Sequence, residues 1–233
     1  MEPRRLASGS KPMLNIISFQ KFSGKYNMEY DLYLFNNFEQ GSIPSTLRVY
    51  GWEGPCISLG YTQAPEKELN IANCKKYGIE IVKRPTGGGI VFHNEHEVTY
   101  SFICGNNETK LPEGLIESYK FISNIVIKAL RTFGVNAELS DTRHNEQARL
   151  CFSFPASYEI TLDGNKIVGS AQKRDEKALL QQGSLFIKNS NLKPSDFIHN
   201  CIDFRAIYDI TGAEIDQIGL SKALSTEFLS AFK

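Results

Sequence analysis

The chain has 233 residues, 41% hydrophobic and 22% charged, with 26 Lys and Arg against 26 Asp and Glu for a formal net charge of zero. That balance supplies no electrostatic footprint for nucleic acid and no polybasic membrane patch. Five cysteines, an odd number without a C-x-x-C pair, argue against a zinc site and a disulfide framework, and the lack of a signal-peptide core or a membrane-length apolar run reads as cytoplasmic.

Residues 1–13 contain Arg4, Arg5, Ser8, Gly9 and Ser10 but also Glu2, and no apolar segment. They predict a flexible N-terminus and not a targeting leader. Leu14 to Phe19 carries a short apolar run and predicts the first strand. From Asn27 to Phe38, Met28, Leu32, Phe35 and Phe38 fall on one helical face. Thr46 to Tyr50 and Cys56 to Tyr61 read as two strands separated by a turn with Gly51, Gly54 and Pro55. Trp52, the only tryptophan, lies in that turn, where its ordinary role is to cap the core with its N–H toward water.

Pro65 to Tyr77 predicts a second helix, with Pro65 near its start and Gly78 past its end, followed by a strand at Ile79 to Val82. In the next strand Val98, Tyr100 and Phe102 alternate with Thr99 and Ser101. The clearest helix follows: Leu115, Tyr119, Ile122 and Val126 fall at i, i+4, i+7 and i+11, and Gly134 stands beyond its end. Such a stripe belongs to a core and not to a cofactor surface. Ser140 to Arg149 has no periodicity and reads as a loop. Tyr158, Ile160 and Leu162 then alternate in a strand, Asp163-Gly164 makes a tight hairpin turn, and Lys166 to Gln172 returns. Leu179 to Ile187 predicts a further strand, and Leu220, Leu224 and Phe228 a terminal helix. Helices and strands mix without βαβ alternation, which predicts an α+β fold, and no linker divides residues 14–233, which read as a single domain.

The stretch from Arg84 through Gly87, Gly88 and Gly89 to His93 lies between two extended segments. Three glycines remove three Cβ atoms, so a ligand can lie against bare peptide groups. The competing reading is a glycine-rich hairpin or bulge with Arg84 and His93 merely solvated. The run is not a P-loop, because no Gly-Lys-Ser/Thr follows, and it lacks the G-x-G-x-x-G spacing. His93 and His96, with Glu95 and Glu97, show no third ligand and no need to converge, so no metal is expected. Cys151 follows a charged loop, and a hairpin brings Lys166 back past the segment after it. A nearby ammonium lowers a thiol pKa from its free value of ~8.5, and the same lysine can move a proton. The competing reading is a buried small hydrophobe, the role expected of Cys56, Cys74, Cys104 and Cys201.

Arg84-x-x-Gly87-Gly88-Gly89-x-Val91-Phe92-His93 and Thr99-Tyr100-Ser101-Phe102 resemble the central motif of lipoate-protein ligases and octanoyltransferases. Gly164-Asn165-Lys166-Ile167-Val168-Gly169-Ser170-Ala171-Gln172 resembles the lysine motif of that family. Cys151-Phe152 with Tyr158-Glu159, and Leu180-Gln181-Gln182-Gly183-Ser184, are similar to the LipM-type octanoyltransferases; Tyr26-Asn27-Met28 is family-like too.

This resemblance, which runs from about Asn15 onward, implies an α+β catalytic domain with mixed β-sheets flanked by helices, like that of lipoate and biotin protein ligases. It implies Cys151 and Lys166 as catalytic residues. Arg84, Gly87, Gly88, Gly89, His93, Gly169, Ser170 and Ala171 would border the acyl site, with Arg84 and His93 positioning. Octanoyl would pass from octanoyl-acyl carrier protein through a Cys151 acyl-enzyme to a lysine of a lipoyl domain, such as that of the glycine-cleavage H protein, in lipoate biosynthesis, with no cofactor. Three alternatives stay open: an ATP-dependent lipoate-protein ligase, an octanoyl amidotransferase between lipoyl domains, and a non-catalytic binder of such domains. The LipM-type enzymes also continue further than Lys233.

Overall fold

A computed structural model describes residues 14–140 and 158–233. The predicted N-terminus at 1–13, most of the loop expected after Ser140, and Cys151 with Phe152 lie outside the described residues.

Two sheets organise the chain. The larger runs β1-β3-β7-β11-β10-β9-β8, from β1 (Asn15–Ile17), β3 (Thr46–Trp52), β7 (Val98–Gly105), β11 (Ala178–Leu185), β10 (Asn165–Arg174), β9 (Ile160–Leu162) and β8 (Glu138–Leu139). β1 and the short β2 (Lys21–Phe22) lie parallel to β3, and the other pairings are antiparallel. The smaller sheet has β4 (Cys56–Leu59) at its centre, with β5 (Glu80–Lys83) parallel and β6 (Val91–His93) antiparallel to it. Sheets flanked by helices make this the expected α+β fold.

Central strands are covered on both faces. Tyr100, Phe102 and Cys104 of β7 and Leu179 of β11 pack into the main core with Ile122, Val126 and Leu130 of α4 (Leu115–Arg131) and Leu220, Leu224 and Phe228 of α6 (Gln217–Ala231). On the opposite face Ile103 and Leu180 meet Leu34 and Phe35 of α1 (Gly24–Glu39). Alternation along a strand sends successive side chains to opposite faces, so a strand with helices on both sides is apolar throughout. Each fully buried Phe or Leu contributes about 1.5–3 kcal/mol.

Local sequence places several elements as expected. Ser23 caps α1, its hydroxyl accepting from Tyr26 N–H, and Gly134 takes φ 74° past the end of α4. Asp163 and Gly164 both have positive φ, as a two-residue hairpin turn requires.

Three of the expected elements are corrected: the buried face of the first helix, the place of Trp52 and the helix over 65–77. Leu32 is exposed on α1, and Asp31 and Asn27 are buried instead, because they bind Arg48: its Nη1 donates to Asp31 Oδ1 at 2.7 Å and its Nη2 to Asn27 Oδ1 at 2.5 Å. Trp52 belongs to β3, not to the turn, and is fully buried with its N–H on Thr99 Oγ1 at 2.9 Å. β3 and β4 do not pair; Glu53 to Pro55 carry the chain from one sheet to the other. The helix expected over 65–77 is two pieces, α2 (Pro65–Glu68) and α3 (Ile71–Lys76), since Leu69 leaves the helix to bridge Ile198. Among the cysteines, Cys56, Cys74 and Cys104 are buried as expected, whereas Cys201 is half-buried. Among the described residues no helix is long and apolar enough to cross a membrane.

Candidate active site

A cleft of about 620 Å³ opens where the two sheets face each other. Its small-sheet wall is the loop between β5 and β6, which is held by its own arginine. The buried Arg84 guanidinium donates to Gly87 O through Nη2 (2.7 Å) and Nε (3.2 Å), to Gly89 O through Nη2 (2.5 Å), and to Ser58 O through Nη1 (3.0 Å). Arg84 has no carboxylate partner among the described residues. Burial without a counter-ion pulls its pKa down to about 10. The loop is also sewn to the large sheet: Thr86 Oγ1 donates to Gln182 Oε1 at 2.9 Å, and Gln182 Nε2 donates to Asp31 Oδ2 at 2.7 Å.

A polar chain runs inward from the cleft wall at Ser58 and His93. Arg84 Nη1 also donates to Ser58 Oγ (3.1 Å), which is 2.7 Å from His93 Nε2, and His93 Nδ1 is 2.6 Å from Glu97 Oε1. Thr99 Oγ1 donates to the same Glu97 oxygen at 2.7 Å. His93 stacks on Trp52 with centroids 3.7 Å apart and planes 14° apart. His93 and His96 share no site: His96 is on the surface beside Glu95.

The large-sheet wall carries Lys166. The register of β9 on β10 shifts between Lys166 and Val168, and such a bulge re-aims a side chain. Lys166 is buried, with Nζ 2.5 Å from Glu159 Oε1. Burial lowers its pKa and Arg84 adds to the fall, while the Glu159 carboxylate pushes the other way without cancelling them. Gly169, Ser170 and Ala171 follow along the cleft wall. Tyr119, read from the α4 stripe as core, reaches the cleft instead, its hydroxyl donating to Ser170 O at 3.3 Å.

The structure therefore brings Arg84, Gly88, Gly89 and His93 to one wall and Lys166 with Gly169 to Ala171 to the other. Gly87 is not part of the lining and serves through its carbonyl, as an acceptor for Arg84. Ser58, Glu97, Glu159 and Gln182 escaped the sequence reading as site residues. Only Glu97 carried a signal, a glutamate two before Thr99.

A buried lysine thus faces a glycine loop across the cleft, on an α+β pairing of two sheets. The chain belongs to the lipoyl protein ligase A/B catalytic domain family, which it matches over residues 23–207. It is similar to the octanoyltransferase LipM of Anoxybacillus flavithermus, with 36% identity over 186 residues, covering 76% of this chain and 66% of that protein. The chain thus spans just under two thirds of the length of that relative. In fold it is like lipoate-protein ligase A bound with ATP (TM-score 0.77, 20% identity, 95% of this chain and 85% of that one) and a putative lipoate protein ligase from Thermoplasma acidophilum with bound lipoic acid (TM-score 0.76, 21% identity, 95% and 86%).

Proposed function

We propose that this chain is a catalytic domain, residues 14–233, of a cytoplasmic octanoyltransferase. It moves octanoyl from octanoyl-acyl carrier protein to a lysine of a lipoyl domain, such as that of the glycine-cleavage H protein, through a Cys151 acyl-enzyme. The observation that carries this reading is Lys166, an ammonium buried beside Glu159 at the cleft with a lowered pKa. A lysine whose pKa is lowered gives up and takes back a proton more readily than an ordinary one. In the first half-reaction the Cys151 thiolate attacks the thioester carbonyl, the C–S bond to the carrier breaks, and Lys166 protonates the departing thiolate. In the second, neutral Lys166 takes a proton from the acceptor lysine, whose amine attacks the acyl-cysteine and releases the thiolate. Arg84 and His93 set the shape of the wall, and the glycines and Gly169 to Ala171 leave room for the acyl chain. A thioester is already activated, so neither ATP nor a cofactor enters. The name of the octanoyltransferase relative supports octanoyl as the group transferred.

The test is intact-protein mass spectrometry after mixing with octanoyl-acyl carrier protein in the absence of ATP. An octanoyl adduct that neutral hydroxylamine removes, and that Cys151→Ala loses, is expected. Strict ATP dependence with free octanoate or lipoate, unaffected by Cys151→Ala, overturns the reading in favour of a ligase. Octanoyl-H protein as a better donor than the carrier overturns it in favour of amidotransfer.

A further inference from the structure

We propose that Ser58, His93 and Glu97 form a second nucleophilic centre in the cleft, with Ser58 as an acyl acceptor independent of Cys151. The directions of the hydrogen bonds follow from the donors. Arg84 can only donate, so Ser58 Oγ accepts from it and directs its own proton to His93 Nε2 at 2.7 Å. His93 Nε2 is then the acceptor and Nδ1 carries the hydrogen given to Glu97 Oε1 at 2.6 Å. A hydroxyl on Nε2 of an imidazole whose Nδ1–H rests on a buried carboxylate is the arrangement in which a serine becomes a nucleophile.

Three further features suit that chemistry. The Trp52 ring, stacked on His93, holds the imidazole plane. Glu97 is fully buried, and its Oε2 has no hydrogen-bond partner among the described residues, which leaves that oxygen open to a further donor. The N–H groups of Gly88 and Gly89, which have no hydrogen-bond acceptor among the described residues, line the same cleft and are donors for an oxyanion. Ser58 lines that cleft.

Resting on the octanoyltransferase reading, the substrate class is a medium-chain acyl thioester or activated ester. Ser58 Oγ attacks the carbonyl carbon as its proton passes to His93 Nε2. The C–S or C–O bond of the leaving group then breaks, and that group departs with the proton from His93. Water, deprotonated by His93, attacks the acyl-serine; the carboxylic acid leaves and Ser58 recovers its proton. The added activity is therefore acyl hydrolysis.

The test treats the full chain with a small alkyl fluorophosphonate and follows labelling by intact mass and peptide mapping. One adduct on Ser58 is expected, with His93→Gln slowing labelling at least about 100-fold and Ser58→Ala abolishing it. Glu97→Gln, which keeps the side-chain shape, guards against misfolding: with an unchanged melting curve it should still slow labelling. An octanoyl group delivered to Ser58 should survive neutral hydroxylamine, unlike a thioester. A wild-type chain with no adduct on Ser58, or His93→Gln labelled at the wild-type rate, overturns the proposal. Octanoyl transfer from the carrier is measured separately: absent labelling with intact transfer removes only the serine route, and labelling without transfer removes only the cysteine one.

Discussion

Gly60 and Gly88 are in backbone contact: a Cβ built on Gly60 would stand 2.1 Å from the carbonyl oxygen of Gly88. Gly88 itself takes φ +87°, a conformation closed to most side chains. The end of β4 thus presses the glycine loop from behind while Arg84 grips its carbonyls from within.

Gly60→Ala should therefore be costly out of proportion to its size. Because the clash is with backbone, relief requires moving the loop, and a loss of about 1–3 kcal/mol is expected for such overpacking. A thermal melt reads it as a fall of about 2–4 °C per kcal/mol for a chain of this length. An unchanged melting point would show that the loop moves freely.

Glu159→Gln should lower the Lys166 pKa further. The carboxylate is the largest influence raising it, and the amide keeps a hydrogen-bond acceptor without the charge. The limb of the pH–rate profile that belongs to Lys166 should move to lower pH. Linkage has a definite sign here. A folded pKa below the ordinary 10.5 means that the unfolded chain binds more protons between the two values. Stability then rises with pH through that interval, the burden of the buried charge is present in full below the folded value, and Glu159→Gln should widen the interval. Melts across pH 7 to 10.5 check this.

Arg84→Gln should act in the opposite direction on the same lysine, since the Arg84 charge lowers the Lys166 pKa. The limb should move to higher pH while the rate falls, because Gln cannot hold the carbonyls of Ser58, Gly87 and Gly89 together. Identical shifts for Glu159→Gln and Arg84→Gln would show that Lys166 does not set the limb.

Gln182→Leu should cost about 1–3 kcal/mol, since it strands the Thr86 hydroxyl and removes a donor from Asp31, both buried. Thr86→Val strands only one acceptor and should cost less. Equal losses by chemical denaturation would contradict the ordering.

Where the determinants were local, the sequence was readable. The α4 stripe, the Asp163-Gly164 turn and the glycine loop each depend on neighbours within a few residues. The buried face of α1 was not, because Asn27 and Asp31 are drawn inward by Arg48, a partner on β3 that hydropathy does not see. The turn residues after Trp52 look like those of a hairpin, yet they separate strands of two sheets. Lys166 was legible as a candidate from its motif and hairpin, but its partner Glu159 needed the register of β9 on β10. Ser58 has no sequence mark of chemistry; its meaning comes from His93 on the strand beside it.

Ser58, Arg84, His93, Glu97 and Thr99 all come from one continuous span that holds the whole small sheet and the start of β7. Lys166 and Glu159 arrive only after α4 has been crossed. The polar wall is therefore the low-contact-order half of the cleft, and the lysine wall closes the longer loop. Substitutions behind the glycine loop should appear mainly in the folding rate, and those around Lys166 mainly in the unfolding rate, so a chevron plot would separate the two walls of one cavity by the time at which each forms.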